Sequence, residues 1–379
     1  MNRSKTPTAA AAGLLSAAAL LVAGCGLFSN PPGQTPTPTP SSDSPSAGTS
    51  ISTETATPGP TRQLVKSITL VASIGEPKNW TPAGLTWNGI ESAAARIGAT
   101  TMLVQPVSNA ELANDIDQAA AAEAGIVVTV GPASDAAVRA AATGHPLTQF
   151  FEMDVVVSNG APANIHGLVF DEAEAGYVAG YVAASFSSSG SIGMVGDVQD
   201  EVQTTNYAAG FGSGAAQEKP GFTVAFAYAG TSDSPEKGRA AATGLVKAGS
   251  DVIVALPSLS GIGAFREACT AKARLVAVDT DAWQTVPDVQ TCLIVSVMKR
   301  YDVAVSVAVA AATAGRAVSR ESVNDVTNGG IALSDFHTNL PAGFGARLDA
   351  VVATLKAGPP RTASAPPTPG SSAGESAAP

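Results

Sequence analysis

The sequence predicts an α/β fold built from two doubly wound parallel-sheet lobes, and three observations carry that prediction. Short runs rich in Val, Ile and Phe alternate with Ala-rich helical runs between residues 64 and 358, the alternation expected of βαβ units on a parallel sheet. Several of the short runs, such as Ile126–Val130, are almost wholly apolar, as strands covered on both faces must be. The alternation also restarts near mid-chain after a strand, helix, strand unit, which divides the elements into two sets of comparable size.

That central unit begins at Ile165–Phe170 and turns at three carboxylates, Asp171, Glu172 and Glu174. Acidic residues in a first turn suit the positive end of a helix. Small residues follow at Ala175, Gly176, Ala179, Gly180 and Ala183, a spacing that lets a helix lie close to a neighbouring sheet. The strand Ser191–Gly196 completes the unit. Before it, strands are expected at 65–73, 102–106, 126–130 and 150–157, with helices at 89–97, 109–124 and 134–142. After it, strands are expected at 222–228, 251–256, Arg274–Asp279, 293–297 and 330–333. Helices fall at 235–248, 262–271, 301–314 and 340–355.

The two ends of the chain differ in composition from its middle. Arg3 and Lys5 precede an apolar run at 9–23 and then Gly24-Cys25, the layout of a secretory signal peptide. The run is too short to span a bilayer well. Leu21 to Cys25, L-V-A-G-C, resembles the bacterial lipobox, whose Cys carries diacylglycerol; an ordinary signal peptide with an incidental Cys is the other reading. Residues 30–62 are rich in Pro, Thr, Ser and Gly, cannot bury enough apolar surface to fold, and favour extended conformations of about 3 Å per residue. They read as a tether of up to roughly 100 Å. Residues 359–379 have the same composition and read as a disordered tail.

A net charge of −10 with no cluster of Lys and Arg argues against nucleic acid, whose phosphates need clustered cations. The sequence also has no calcium loop, no Cys/His zinc spacing and no GxxxxGK phosphate loop, so neither metal nor nucleotide cofactor is expected. His145, His166 and His337 are far apart and assemble no catalytic motif, and the chain is not expected to be an enzyme.

F-D-E-A-E-A-G-Y-V-A-G-Y-V-A-A at 170–184, followed by G-S-I-G-M-V-G-D, resembles the signature of the basic membrane protein family, the PnrA-like substrate-binding lipoproteins of ABC importers. Further pieces fit in the family's order: N-Y-A-A-G-F-G-S-G-A-A at 206–216, S-P-E-K-G-R-A-A-A at 234–242, V-A-V-D-T-D at 276–281 and V-S-V-M-K-R-Y-D at 295–302. The resemblance covers roughly residues 64 to 358. It implies the type 1 periplasmic-binding fold, in which a three-crossing hinge joins two lobes that close on a ligand. Crossings are expected near Phe170, Asp288 and Asn328. The domains then read 1–24 signal peptide, 25–63 lipid-anchored linker, 64–170 plus 289–328 first lobe, 171–288 plus 329–358 second lobe, and 359–379 tail.

Ligands of open parallel sheets bind beyond the carboxyl ends of the strands. Asp279 ends such a strand, with Asp281 and Trp283 just beyond. The resemblance gives Asp279 a nucleoside ribose contact, and Lys299 a reach to the same sugar; a turn or cap Asp and a solvated Lys are the alternatives. It gives Asp171 a polar contact to the base, with helix capping the equal alternative. The family's Asp-x-Ser-Phe-Asn-Gln is replaced here, aligned through Trp87-Asn88-Gly89, by Asn79-Trp80-Thr81-Pro82-Ala83-Gly84. Trp80 could stack in place of the missing Phe, and Asn79 could replace the Asp. A second stacking Phe is expected where Ser232 stands, so one side of the aromatic clamp is lost. Cys269 and Cys292, in an exported chain, read as a disulfide or as two buried thiols.

The function implied is a lipid-anchored solute-binding protein on the outer face of the cell membrane. It would pass a small polar ligand, nucleoside-like by resemblance, to an ABC permease. A sensor or surface-interaction lipoprotein of the same fold is the alternative, and an exported α/β enzyme a third.

Overall fold

A computed structural model of the chain describes residues 65–73, 81–122 and 125–358. Cys25 and the expected signal peptide, linker and tail fall outside the described residues, as do Asn79 and Trp80.

Six strands form the first sheet. β1 (Ser67–Val71), β2 (Thr100–Val104), β3 (Ile126–Val130), β4 (Gln149–Met153), β5 (Ile165–Phe170) and β11 (Glu321–Asn324) lie in the order β11-β5-β4-β3-β1-β2, all parallel. Six more form the second. β6 (Ser191–Gly196), β7 (Thr223–Tyr228), β8 (Val252–Ala255), β9 (Arg274–Asp279), β10 (Leu293–Lys299) and β12 (Ile331–Leu333) run β12-β10-β9-β8-β6-β7, antiparallel only at β12. Both orders are doubly wound, as the sequence predicts. β3 and β8 are buried at every residue, which explains why they are apolar runs without alternation.

Helices α1 (Pro82–Ile97), α2 (Asn109–Ala121), α3 (Asp135–Gly144) and α9 (Tyr301–Thr313) accompany the first sheet; α4 (Glu172–Phe186), α5 (Val202–Glu218), α6 (Pro235–Lys247), α7 (Leu259–Thr270), α8 (Ala282–Thr285) and α10 (Phe344–Ala357) accompany the second. α1 starts seven residues before the expected position. Thr81 caps it, its hydroxyl accepting from Gly84 N at 3.2 Å, and Pro82 stands in the first turn, where a missing N–H costs nothing. β11 was not expected, and its E-S-V-N run lacks an apolar stretch because it is a half-covered edge.

One hinge crossing differs from expectation. β10 pairs with β9 and β12 of the second sheet, whereas a boundary at Asp288 would give residues 289–299 to the first lobe. The crossing comes instead at Arg300, between β10 and α9. An apolar strand suits either sheet equally, so composition alone does not place it. β5 and β11 lie in the first sheet and β6 and β12 in the second. Cys269 on α7 and Cys292 just before β10 are joined as a disulfide, with Cα atoms 5.4 Å apart.

The small residues of α4 face a helix as well as the sheet. A Cβ added at Gly176 would stand 2.3 Å from the Tyr207 carbonyl oxygen of α5, and one added at Gly214 of α5 would stand 1.9 Å from the Tyr177 carbonyl oxygen of α4. The two helices therefore meet main chain to main chain. Gly214→Ala is expected to cost about 2–3 kcal/mol, because neither backbone can retreat. Denaturant melts would check this, and a cost below about 0.5 kcal/mol would mean that the two helices can part to admit a methyl group.

Candidate functional site

The carboxyl ends of the two sheets face each other across a cavity of about 1080 Å³. The first lobe supplies Ser73, Thr81, Gly131, Asp154, Val156 and Phe170; the second supplies Glu172, Glu201, Gln203 and Asn206, with Asp171 at the first crossing. A second cavity of about 410 Å³ lies beside it, lined by Asp279, Thr280, Asp281, Lys299, Arg300 and Asp302 among others. A network of charged and phenolic side chains forms the wall between them.

Lys299 is the centre of that network. It ends β10, is 0% exposed, and places its ammonium 3.2 Å from Asp154 Oδ1 and 3.1 Å from Glu172 Oε1. One partner belongs to each lobe. The ammonium also lies 5.4 Å from the centre of the Phe170 ring and 6.0 Å from that of Tyr207, close enough for cation–π attraction. Burial works against the charge on Lys299, but the fields of Asp279, Asp154 and Glu172 outweigh it and hold the group above its ordinary value.

Asp154 and Asp279 occupy equivalent places. Asp154 follows β4 and Asp279 ends β9, the third strands of their sheets counted from β11 and β12. Both carry left-handed backbone, with φ 58° and 67°. Few residues other than Gly, Asn and Asp adopt that conformation readily. Each of the two stands at the last rung of its ladder, Asp154 N donating to Leu168 O at 3.0 Å and Asp279 pairing with Met298, and there the chain bends away. Tyr301 donates to Asp154 Oδ2 at 2.6 Å. Tyr207 donates to Asp279 Oδ1, and Gln203 Nε2 reaches Asp279 Oδ2 at 3.4 Å. Burial raises Asp279 above the ordinary carboxylate range; Lys299 and the Tyr207 hydroxyl pull it back, while Asp154 and Glu172 add to the rise. Tyr207 and Tyr301 are held far from ionisation, first by burial and then by these carboxylates, so both act as donors.

The N-terminus of α4 is filled by its own carboxylates. Asp171 caps it, accepting from Glu174 N at 2.9 Å, and Glu172 turns to Lys299. Glu174 is buried and accepts from Val326 N at 2.9 Å, tying the helix to the third crossing. A helix end occupied in this way offers no place to a phosphate.

Of the residues singled out from the sequence, Asp279 and Lys299 come together, with Asp171 on the wall of the larger cavity. Trp283 is half-buried against the core around α7 and stacks on His337, with centroids 3.7 Å apart. Ser232 is exposed after β7, its carbonyl accepting from Ser260 N, and does not line either cavity. Asp154, Tyr207, Gln203 and Tyr301 were not singled out. A strand run ending in Asp, F-F-E-M-D like L-V-A-V-D, was the available signal for Asp154; reading that strand on to Val157 hid it.

A family model described as ABC transporter substrate-binding protein PnrA-like matches residues 84–346. Basic membrane protein A of Borreliella burgdorferi is 26% identical over 204 residues, which cover 53% of this chain and 60% of that protein. A Lactococcus lactis protein named ABC transporter nucleoside-binding protein BmpA is 31% identical over 132 residues, 35% of this chain and 37% of that one. The chain thus spans less than two thirds of either relative's length. A solved ABC transporter solute-binding protein from Conexibacter woesei superposes with a TM-score of 0.64 at 22% identity, over 77% of this chain and 96% of that one. This last likeness speaks to the fold alone.

Proposed function

The chain belongs to the PnrA-like family of ABC transporter substrate-binding proteins, and from that premise we propose that it captures a nucleoside outside the cell membrane and hands it to an ABC permease. One observation supports the reading above the others: two left-handed strand-end carboxylates, one per lobe, act on a single buried lysine at the cleft, Asp154 by direct contact and Asp279 through its charge. Carboxylates held at fixed positions accept hydrogen bonds from ligand hydroxyls, and a ribose offers several. The Lactococcus relative's name points to the same ligand class. Among the described residues lining the larger cavity there are four carboxylates, Asp154, Asp171, Glu172 and Glu201, and no Lys or Arg, which favours a neutral ligand over a phosphorylated one.

Apolar wall residues such as Val130, Val156 and Val202 suit the flat face of a base, with Trp80 as the stacking platform and Asn79 as a polar contact. Cys25 is the proposed lipid attachment. Its sequence context supports an anchor held by more than one acyl chain, which a bilayer retains firmly. No described helix is long and apolar enough to cross a membrane.

A thermal-shift panel of nucleosides, nucleoside monophosphates, free bases, sugars and amino acids tests the reading. A nucleoside at about 100 times its dissociation constant is expected to add about 2.7 kcal/mol of stability, and Asp279→Asn to remove that gain. A shift with another class and none with nucleosides would reassign the ligand. No shift with any class would count against solute binding.

A further inference from the structure

Tyr207 makes the one strong contact at Asp279 whose purpose is not plain from ligand capture alone. It is fully buried on α5, and its depth is set by main chain: the glycine contact at Gly176 holds the Tyr207 backbone against α4, so the phenol cannot draw back from Asp279. The direction of the carboxylate, by contrast, depends on side-chain torsions that the main chain does not fix. Asp279 is the last residue of β9, paired with Met298, and at φ 67° it enters a tight turn where Thr280 N returns to Val278 O at 2.9 Å. Side chains must therefore aim it. Tyr207 takes Oδ1, while Gln203 approaches Oδ2 at 3.4 Å, a distance at which little bonding remains. Gln203 also lines the larger cavity, so Oδ2 is the oxygen turned toward the residue that faces the ligand space.

We infer that Tyr207 is a positioning residue for Asp279: it locks Oδ1 and leaves Oδ2 as the single acceptor offered to a ligand hydroxyl, with Gln203 as the group that yields. This deepens the solute-binding reading and rests on Asp279 being a ligand contact. It also gives the phenol a chemical effect beyond packing. The groups facing Asp279 are Lys299 of β10, Asp154 after β4, Glu172 of α4, Tyr301 of α9 and Tyr207 itself. Only Lys299 and the Tyr207 hydroxyl favour the ionised carboxylate, against burial and two like charges. Removing the hydroxyl removes one of the two groups that keep Asp279 an acceptor.

Tyr207→Phe keeps the ring and deletes the donor. In ligand-free protein, the protonation midpoint of the Asp279 carboxyl carbon, followed by NMR, is expected to rise by about one pH unit or more, the worth of a hydrogen bond to a charged group. Affinity for inosine as probe is expected to fall about tenfold at neutral pH, with the acid limb of binding moving up alongside the midpoint. A melting temperature that falls while midpoint and affinity stay put would make Tyr207 a packing residue only and overturn the inference. If inosine binds neither protein but the midpoint moves, the nucleoside reading fails and the positioning role stands. Should Tyr207→Phe not fold, 3-fluorotyrosine at 207 keeps the volume and strengthens the donor. It is expected to lower the midpoint, and an unmoved midpoint would overturn the proposal.

Discussion

Lys299→Met is expected to lower the unfolding free energy by about 3–5 kcal/mol at pH 7, the cost of leaving buried charges without their partner. The apolar chain fills the space of the lysine stem, so the loss is electrostatic rather than a cavity. Three carboxylates, Asp154, Glu172 and Asp279, feel the ammonium, and two of them touch it from opposite lobes. Without it they repel one another across the cleft. A fall in melting temperature of roughly 10 °C should accompany the change. The pH dependence gives a second check. Asp279 already has a raised folded value, and losing the lysine raises it further. A carboxyl raised in the folded state contributes its full stability below its unfolded value and loses it as pH rises through the folded value. The variant's deficit should therefore shrink on acidification and be widest at neutral pH. A deficit under about 1 kcal/mol, or one that does not change with pH, would show that Lys299 is not the counter-ion of this cluster.

The fold was legible because its signals are local and repeated. Buried strands such as β3 and β8 and capped helices such as α4 announce themselves by composition and by the residue before the first turn. What failed to show was set by pairing. β10 reads as a strand from its apolar run, yet nothing in L-I-V-S-V-M-K says which sheet it joins, and β11 is too short and too polar to signal at all. The site divides in the same way. Asp279 stood out because a strand visibly ends there, and Lys299 stood out through the resemblance. Tyr207 did not, because it lies 72 positions from Asp279 on a helix whose depth depends on glycines of another helix. Asp154 was lost to a boundary error of four residues, since β4 stops at Met153 where the backbone turns left-handed.

Glu152 carries the remaining large effect, and it lies on the opposite face of β4 from the cleft core. Phe151 and Met153 point into the core shared with α4 and α9, while Phe150 packs with α2 and α3; strand alternation puts Glu152 on the Phe150 side. It is 0% exposed, paired in register with Thr129 and Gly167, and neither carboxyl oxygen has a hydrogen-bond partner among the described residues. Burial, helped by the Asp135 charge and opposed by Arg139, pushes it from 4.5 to about 7. Arg139 does not rescue it, because its guanidinium is bound to Asp135 at 2.7 and 2.8 Å. The group is raised, so its contribution is full below pH 4.5 and is lost as pH climbs to about 7. A displacement of that size corresponds to about 3 kcal/mol. Stability measured by denaturant melts should decline across that window and level off above it. Glu152→Gln, which cannot ionise, should match the natural chain near pH 4.5 and exceed it by about 3 kcal/mol at pH 8. A difference between the two proteins that stays constant from pH 4.5 to 8 would mean that Glu152 keeps its charge in the folded state, held by something other than protein.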